Sequence, residues 1–184
     1  MKWFLQTRLA AFATDTRGYV NTEAVIVLPI LLGLFGVGWV YFDAFRQQNV
    51  NQKANYAISD ILSRQTDYID AGFIDSTFRL FQTLTLSNGS DGALRVSLVE
   101  YDGETGNWDV VWSQTRSGGA SLGTEGPDAF ESRLPPVVDG DQLFVVETVD
   151  RYTPVLQVGL NGFDITTISF TRPRYAAKAA EAAG

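Results

Sequence analysis

The sequence predicts an α+β protein: a long N-terminal membrane helix extends into an amphipathic helix that packs on an antiparallel β-sheet domain. Two observations predict this fold class. The chain has no charged residue from Ala24 to Phe42, a run bounded by Glu23 and Asp43. Beyond about residue 90, apolar residues alternate with polar ones, which is the period of half-buried strands.

The charge-free run is long enough to cross a bilayer. It contains 19 residues, positions 24 to 42 inclusive. A helix of that length spans about 28 Å at about 1.5 Å per residue, close to the hydrocarbon thickness of a membrane. A buried helix of a soluble protein is the alternative, but such a helix rarely continues so far without a polar stripe. We therefore predict a transmembrane segment at 24–42.

The flanking charges predict the orientation of this segment. Residues 1–18 carry Lys2, Arg8 and Arg17 against one acid, Asp15. Because basic residues favour the cytoplasmic side, we expect a cytoplasmic N-terminus and a periplasmic C-terminal domain in the inner membrane, with a single pass. A cleaved secretory signal peptide is the competing interpretation. Its apolar region is normally shorter and ends in small residues, whereas this run ends in WVYFDAF.

The residues before the run allow two interpretations. A Gly, four residues, a Glu and a long apolar stretch form the prepilin pattern, which predicts cleavage between Gly18 and Tyr19. Glu23 would then be the fifth residue of the mature chain, where its carboxylate can pair with the α-amino group of a neighbouring subunit. Alternatively, Glu23 marks only the membrane boundary at a helix N-terminus capped by Asn21 or Thr22.

The stretch GYVNTEAVIVLPILL resembles the N-terminal signature of TadE/TadG-like proteins, the minor pseudopilins of tight-adherence (Flp-type) pili. In that signature a Pro follows the Glu by six residues, as Pro29 does here. The segments LFVVETVDRYTPVL (143–156) and SFTRPRY (169–175) are similar to the family's later strands. Members usually carry an aromatic residue where this chain has Ala24, and some have a disulfide that a chain without cysteine cannot form.

The resemblance implies a pilin-like, pseudopilin structural subunit that helps assemble a Flp/Tad-type adhesion pilus and can itself enter the pilus. Its partners would be other pilins or pseudopilins, Tad assembly proteins, the membrane and a prepilin peptidase that acts at Gly18–Tyr19. Glu23 and Pro29 would be the assembly residues, because a Pro at this depth permits local unwinding in filaments.

Composition argues against other classes of function. Histidine and cysteine are absent, so the commonest general base and the commonest metal ligands are missing, and we expect no enzyme activity, catalytic residue, metal site or cofactor. The formal net charge of −7 argues against nucleic-acid binding. The acidic turns around 102–109 and 139–141 fit turn formation better than calcium binding. An uncleaved, membrane-anchored periplasmic binding or adhesion domain remains the alternative function.

The pattern divides the chain into a cleaved cytoplasmic leader (1–18), a long helix (19–66), a periplasmic α+β head (67–175) and a disordered tail (176–184). Apolar residues at three- and four-residue steps predict that the long helix continues past the membrane with one apolar stripe. The stripe contains Val50, Ala54, Ala57, Ile58, Ile61 and Leu62. A second helix is expected at 71–85, capped by Asp70, with an apolar set of Phe73, Ile74, Phe78, Phe81 and Leu84.

Period-two patterns predict four strands in the head. Residues 94–98 and 108–112 form a hairpin about the turn DGETGN (102–107), with Trp108, Val110 and Trp112 alternating in its second strand. The other strands are expected at 143–152 and 163–171. A loop at 117–126, a short helix from Pro127 to about Leu134 and a second loop at 135–141 complete the expected head.

Overall fold

The computed structural model describes residues 17–86, 92–117 and 134–175, and only the backbone of residues 17–21. Most of the expected leader, the loop at 118–126, the short helix from Pro127 and the tail at 176–184 lie outside the described residues. The described residues form two compact units. One contains residues 17–42 and 155–160, and the other contains residues 43–154 and 161–175 with the gaps just given.

The predicted α+β class is confirmed. Two helices and four strands follow one another along the described chain, and the sheet is antiparallel throughout. The elements are α1 (Arg17–Ser63), α2 (Ala71–Thr85), β1 (Gly92–Asp102), β2 (Asn107–Ser117), β3 (Gln142–Tyr152) and β4 (Phe163–Thr171).

Helix α1 begins two residues before the predicted start and ends three residues before the predicted end. At its C-terminus the N–H groups of Arg64 and Gln65 donate to carbonyls three residues earlier, at 3.2 and 3.1 Å, which tightens the last turn. The backbone N–H of Arg174 donates to the Ser63 carbonyl at 2.8 Å. The helix therefore ends where a distant segment satisfies one of its terminal carbonyls.

Helix α2 has the predicted bounds and the predicted cap. The Asp70 carboxylate accepts from the Phe73 N–H at 2.7 Å, which confirms the capping role. Ile74 and Phe81 are fully buried, as their spacing predicts. Leu84 is exposed instead, and Thr85 is buried in its place. The buried residue at the C-terminal end of α2 is therefore a threonine and not a leucine. The Thr85 hydroxyl donates to the Phe81 carbonyl at 3.0 Å.

The strand order in the sheet is β2-β1-β3-β4, so β1 and β3 are central. The predicted β1–β2 hairpin is confirmed, with both strands longer than predicted. One prediction for β2 is wrong. The register shifts between Leu98 and Val99 because β2 carries one extra residue, so Leu98 pairs with Trp112 and Val99 with Val110. This β-bulge sends Trp108 and Trp112 to opposite faces of the sheet rather than to one.

Each face of the sheet supports its own cluster of buried side chains. The larger cluster joins one face to both helices and contains Ala54, Ile58, Leu62, Ile69, Ile74, Phe81, Leu94, Val96, Leu98, Phe144 and Val146. The smaller cluster lies on the opposite face and contains Val99, Trp108, Leu143 and Val145. Because successive side chains of a strand point to opposite faces, the central strand β3 is buried on both sides.

The predicted apolar stripe on α1 is only partly correct. Ala54, Ile58 and Leu62 are in the larger cluster, but Ala57 and Ile61 are exposed. The polar residues Asn51, Asn55, Ser59 and Ser63 are buried instead. The face of α1 that packs on the sheet is therefore half apolar and half polar, which the apolar spacing alone did not predict.

Candidate functional site

The predicted processing residues lie in the first turn of α1. The backbone of Gly18 and Tyr19 is helical, and Arg17 is the first helical residue. Asn21 and Thr22 are therefore inside the helix, so the prediction that one of them is its N-terminal cap is wrong. Glu23 lies in the second turn, and its side chain is exposed and makes no ion pair with any described residue.

Pro29 lies within an unbroken stretch of α1. A proline has no N–H group, so the carbonyl of Val25, one turn earlier, lacks its usual helical donor. The helix continues through this position for more than 30 further residues, to Ser63. Pro29 therefore removes one hydrogen bond from the apolar part of the helix without ending it.

The apolar half of α1 exposes its side chains. Every residue from Thr22 to Phe42 is exposed except Gly36, Val37 and Val40, which share one helical face. Among the described residues one helix, Thr22–Ser63, is long and apolar enough to cross a membrane. Exposed apolar surface of this extent requires a cover, and the composition of the run fits lipid.

The other half of α1 carries buried or half-buried polar groups at every fourth residue. We call this set the polar seam. It consists of Asp43, Gln47, Asn51, Asn55, Ser59 and Ser63. Residues four apart lie on a ridge inclined to the helix axis, so the seam runs obliquely and meets first β3 and then β4. The first five members have side-chain hydrogen bonds to the sheet, whereas the Ser63 hydroxyl donates to the Asp60 carbonyl of its own helix at 2.8 Å.

The centre of the seam holds a buried carboxylate. Asp150 of β3 is only 2% exposed. Its Oδ2 atom accepts from Asn51 Nδ2 at 3.0 Å and from Gln47 Nε2 at 3.3 Å. Gln47 Nε2 also donates to the carbonyl of Thr85 at the end of α2, at 2.9 Å. Two neutral amides thus bind this carboxylate, and they tie α1 to a strand and to the second helix.

Asn55 joins α1 to both β3 and β4. Its Nδ2 atom lies 3.1 Å from the Val146 carbonyl, 3.0 Å from Thr148 Oγ1 and 3.2 Å from the Thr167 carbonyl. Asn55 is completely buried. The Oδ1 atoms of Asn51 and Asn55 are buried without a partner among the described residues. The amide nitrogens therefore provide the specific contacts of the seam, while the two oxygens lower its net stabilisation.

The C-terminal end of the seam meets β4 and the segment beyond it. The hydroxyls of Ser59 and Ser169 are hydrogen-bonded to each other, and Ser59 also donates to the Asn55 carbonyl at 3.0 Å. At Ser63 the contact is made by the backbone, whose carbonyl accepts from the Arg174 N–H as described above. The Arg174 guanidinium lies 3.5 Å from Asp60. This exposed arginine therefore forms an ion pair within the chain.

The N-terminal end of the seam is an ionisable pair. The Tyr152 hydroxyl donates to Asp43 Oδ2 at 3.2 Å, and Tyr152 is buried. Burial raises the pKa of the Tyr152 phenol above its ordinary value, and the charge and hydrogen bond of Asp43 raise it further. The folded state therefore favours the neutral phenol.

The acidic turn between β1 and β2 uses its carboxylates to stabilise the turn. Asp102 accepts from the Thr105 hydroxyl at 2.8 Å and from the Glu104 N–H at 2.9 Å. These hydrogen bonds, that of Thr105 first, lower the pKa of Asp102. Gly106 has a φ of +74°, which glycine adopts without strain, and its N–H donates to the Asp102 carbonyl at 2.8 Å. The geometry is that of a tight hairpin turn.

The carboxylates of the second acidic turn also accept hydrogen bonds from backbone N–H groups. Asp139 accepts from the Gly103 N–H at 2.8 Å, and Asp141 accepts from the Val138 N–H at 3.0 Å and pairs with Arg172 at 3.1 Å. A shallow cavity of about 290 Å³ lies between the two turns. Across the described ranges, no group of three or more acidic side chains is close enough to share a metal ion. Local hydrogen bonds account for the positions of these carboxylates.

Comparison with protein-family models, with curated proteins and with solved structures finds no match for this chain. The structure places Gly18, Tyr19, Glu23 and Pro29 along one helix, in its first four turns. It also reveals the polar seam, which was not predicted from the sequence. The polar residues at every fourth position from Asp43 to Ser63 are nevertheless visible there.

The seam should contribute measurably to stability. We predict that Asn55→Ala lowers the free energy of unfolding by about 1–3 kcal/mol, because it leaves buried acceptors on β3 and β4 without their donor. Asn49→Ala is the matched control on the same helix, where an exposed amide bonds only to the Phe45 carbonyl. We expect it to change stability by less than about 0.5 kcal/mol. Urea unfolding of the detergent-solubilised chain, followed by circular dichroism, measures both. Equal effects of the two substitutions would contradict a structural role for the seam.

The Tyr152–Asp43 pair predicts a loss of stability in alkali. Because the folded-state pKa of Tyr152 is raised, its stabilising contribution is complete below the unfolded-state value of about 10 and is lost as pH rises through the folded-state pKa. Unfolding free energies measured across this range should fall more steeply for the wild type than for Tyr152→Phe. Asp43→Asn should reduce the slope, because it removes the charge that adds to the shift. Tyr68→Phe, at an exposed tyrosine, should keep the wild-type slope; if it changes the slope as much as Tyr152→Phe does, the assignment is wrong.

Proposed function

We propose that the protein is a pseudopilin-like structural subunit of the inner membrane that contributes to the assembly of a Flp/Tad-type adhesion pilus. The observation that carries the proposal is the continuity of α1. One helix exposes an apolar surface from residue 24 to residue 42 and then packs on an antiparallel sheet from residue 43 to residue 63. A subunit of this kind needs both a membrane-spanning helix and a folded head domain. The first half of α1 would supply the membrane-spanning helix, and its second half is part of the head domain.

The membrane role rests on the exposed side chains of the run. Val25, Leu32 and Phe35 are each at least 60% exposed, and no charged residue occurs between Glu23 and Asp43. Lipid would cover this surface at no cost in buried charge. The bases before the run favour a cytoplasmic N-terminus, which makes the sheet domain periplasmic.

Processing by a prepilin peptidase would take place at the Gly18–Tyr19 bond. This bond is in the first turn of α1, and the terminal turns of helices fray easily. Cleavage there would leave Tyr19 as the N-terminal residue and Glu23 as the fifth. The Glu23 side chain is exposed and lacks an ion-pair partner among the described residues. Its carboxylate could therefore form an ion pair with the protonated α-amino group of a neighbouring subunit.

The helical backbone at the same bond supports a second candidate function. A peptidase must unwind this turn to reach the bond, so a chain that keeps its helix intact would remain an uncleaved, membrane-anchored periplasmic binding or adhesion domain. The two functions differ in the N-terminus of the protein found in the cell envelope. Tyr19 there supports the pseudopilin, and retention of residues 1–18 supports the anchor.

Gly18→Ala should block trimming. We expect the wild-type protein from native envelopes to begin at Tyr19, and the variant to keep residues 1–18, because the added methyl group obstructs recognition at the cleaved bond. Gly33→Ala is the matched control, since an added Cβ at Gly33 meets no atom within 4 Å. Mass spectrometry of the intact protein distinguishes the forms. Trimming of the Gly18→Ala protein at the wild-type level would contradict the proposed processing site.

Glu23→Val should leave trimming intact and reduce pilus assembly. The substitution removes the carboxylate that pairs with the neighbouring α-amino group, and Glu23→Gln should act similarly because it keeps the shape but loses the charge. Glu104→Val makes the same chemical change at an exposed position in the β1–β2 turn and should assemble normally. Quantification of sheared surface pili measures the effect. Normal piliation by the Glu23→Val strain would refute the pairing role.

A further inference from the structure

The loop between β3 and β4 has the composition of a membrane contact. No charged residue occurs from Tyr152 to Phe163, and the segment Val155–Leu160 reads VLQVGL. Val155 is 82% exposed and Leu156 is 47% exposed. Loops at a protein surface usually carry polar residues at their tips, so two exposed branched apolar side chains at this turn need an explanation.

The loop belongs to the same compact unit as the apolar half of α1. Within that unit, Leu156 Cδ1 lies 3.9 Å from the position that a Cβ on Gly36 would occupy. Gly36 shares its helical face with Val37 and Val40, the only other residues between Thr22 and Phe42 that are not exposed. The loop therefore lies beside the charge-free run itself rather than beyond its end.

The contact with Gly36 sets the depth of the loop along α1. Gly36 precedes Phe42, the last residue of the run, by six residues, which corresponds to about 9 Å along the helix axis. Apolar segments that bind membrane interfaces bury their side chains about 5–10 Å into the boundary between headgroups and acyl chains. If the run spans a bilayer, Leu156 lies at that depth in the leaflet on the side of the head.

One backbone hydrogen bond and one glycine shape the turn within this loop. The Val158 N–H donates to the Leu156 carbonyl at 3.1 Å, so part of the polar backbone is satisfied within the turn. Gly159 has a φ of +92°, a conformation that glycine adopts easily and that reverses the chain immediately after Val158. Val155 and Leu156 are left as the exposed apolar residues before this reversal.

We propose that the Val155–Leu160 loop is a second membrane contact, which inserts Val155 and Leu156 into the same leaflet that surrounds the exported end of the apolar run. The inference rests on the proposed membrane role of α1. It adds that the β3–β4 hairpin holds the head to the lipid surface at a point separate in sequence from the helix. The occupant of this surface is the bilayer, because the loop continues the uncharged surface of a helix that lipid would already cover.

The chain has no cysteine, so single labels can test the proposal directly. Val155→Cys, Val138→Cys and Leu32→Cys, each in the full chain, are labelled with an environment-sensitive fluorophore and reconstituted in phosphatidylcholine and phosphatidylglycerol vesicles. Val138 is the matched control, a 72% exposed valine in another loop of the head. Leu32 reports on the apolar run itself. Nitroxide lipids quench labels in the bilayer, and iodide quenches labels in water.

We expect the label at 155 to be quenched by shallow nitroxide lipids several-fold more than the label at 138, and to be protected from iodide. Adding Leu156→Asp to the Val155→Cys protein should reduce its lipid quenching to the level at 138, because a carboxylate resists transfer into the leaflet. Lipid quenching that persists at the original level would show that the apolar side chains do not hold the loop in the bilayer and would overturn the proposal.

The remaining outcomes separate this inference from the proposed function. Lipid quenching at 32 but not at 155 would overturn the loop contact and leave the membrane helix intact. The absence of lipid quenching at 32 would refute the membrane role of α1 and the loop contact with it. A label at 155 that is protected from iodide but not quenched by any nitroxide lipid would indicate a second copy or another protein on the loop, and the lipid proposal would be wrong.

Discussion

The hydrogen bonds of the polar seam determine which residues of α1 pack on the sheet. Apolar contacts are not directional, so a helix held only by Ala54, Ile58 and Leu62 could shift along the sheet at modest cost. Hydrogen bonds tolerate little displacement in distance or angle. A shift of α1 by one turn would move the Asn55 amide away from Thr148 and Thr167 and remove its hydrogen bonds to β3 and β4. The seam thus fixes the register of α1 on β3 and β4, and with it the point at which the sheet-bound part of the helix begins.

Asp43 marks the boundary between the apolar run of α1 and the polar seam. It is the first charged residue after the apolar run and the first member of the seam, bound to the Tyr152 hydroxyl. Before it, the helix has no charged side chain as far back as Glu23. After it, every fourth residue bonds to the sheet or to the segment beyond it. Asp43 thus marks the position along one continuous helix at which an exposed apolar stretch gives way to a stretch bonded to the sheet.

Much of the fold could be predicted because its signals are local. The charge-free run, the Asp70 cap and the alternating strands each depend on neighbours in sequence, and the helices and strands appear close to their predicted positions. The seam was missed because Asn51 and Asn55 resemble the solvent-facing side of an amphipathic helix. Only the acceptors on β3 and β4 reveal that they are buried. The bulge in β2 was missed for the same reason, since Trp108, Val110 and Trp112 alternate without any sign of an extra residue.

The candidate site was less predictable than the fold, because it depends on contacts between distant parts of the chain. The motif around Gly18 and Glu23 is readable in the sequence, but nothing in the spacing of residues 152–163 places that loop beside Gly36. Under the proposed membrane role, that proximity would give the chain a second lipid contact beside the helix. A single helix resists extraction from a bilayer but allows the attached domain to rotate about the helix axis, whereas a second lipid contact off that axis restrains the rotation. If the chain is a subunit of an assembly, such a restraint would keep the same surface of each head turned toward its neighbours. The same contacts between subunits can be repeated along an assembly only when every subunit has the same orientation.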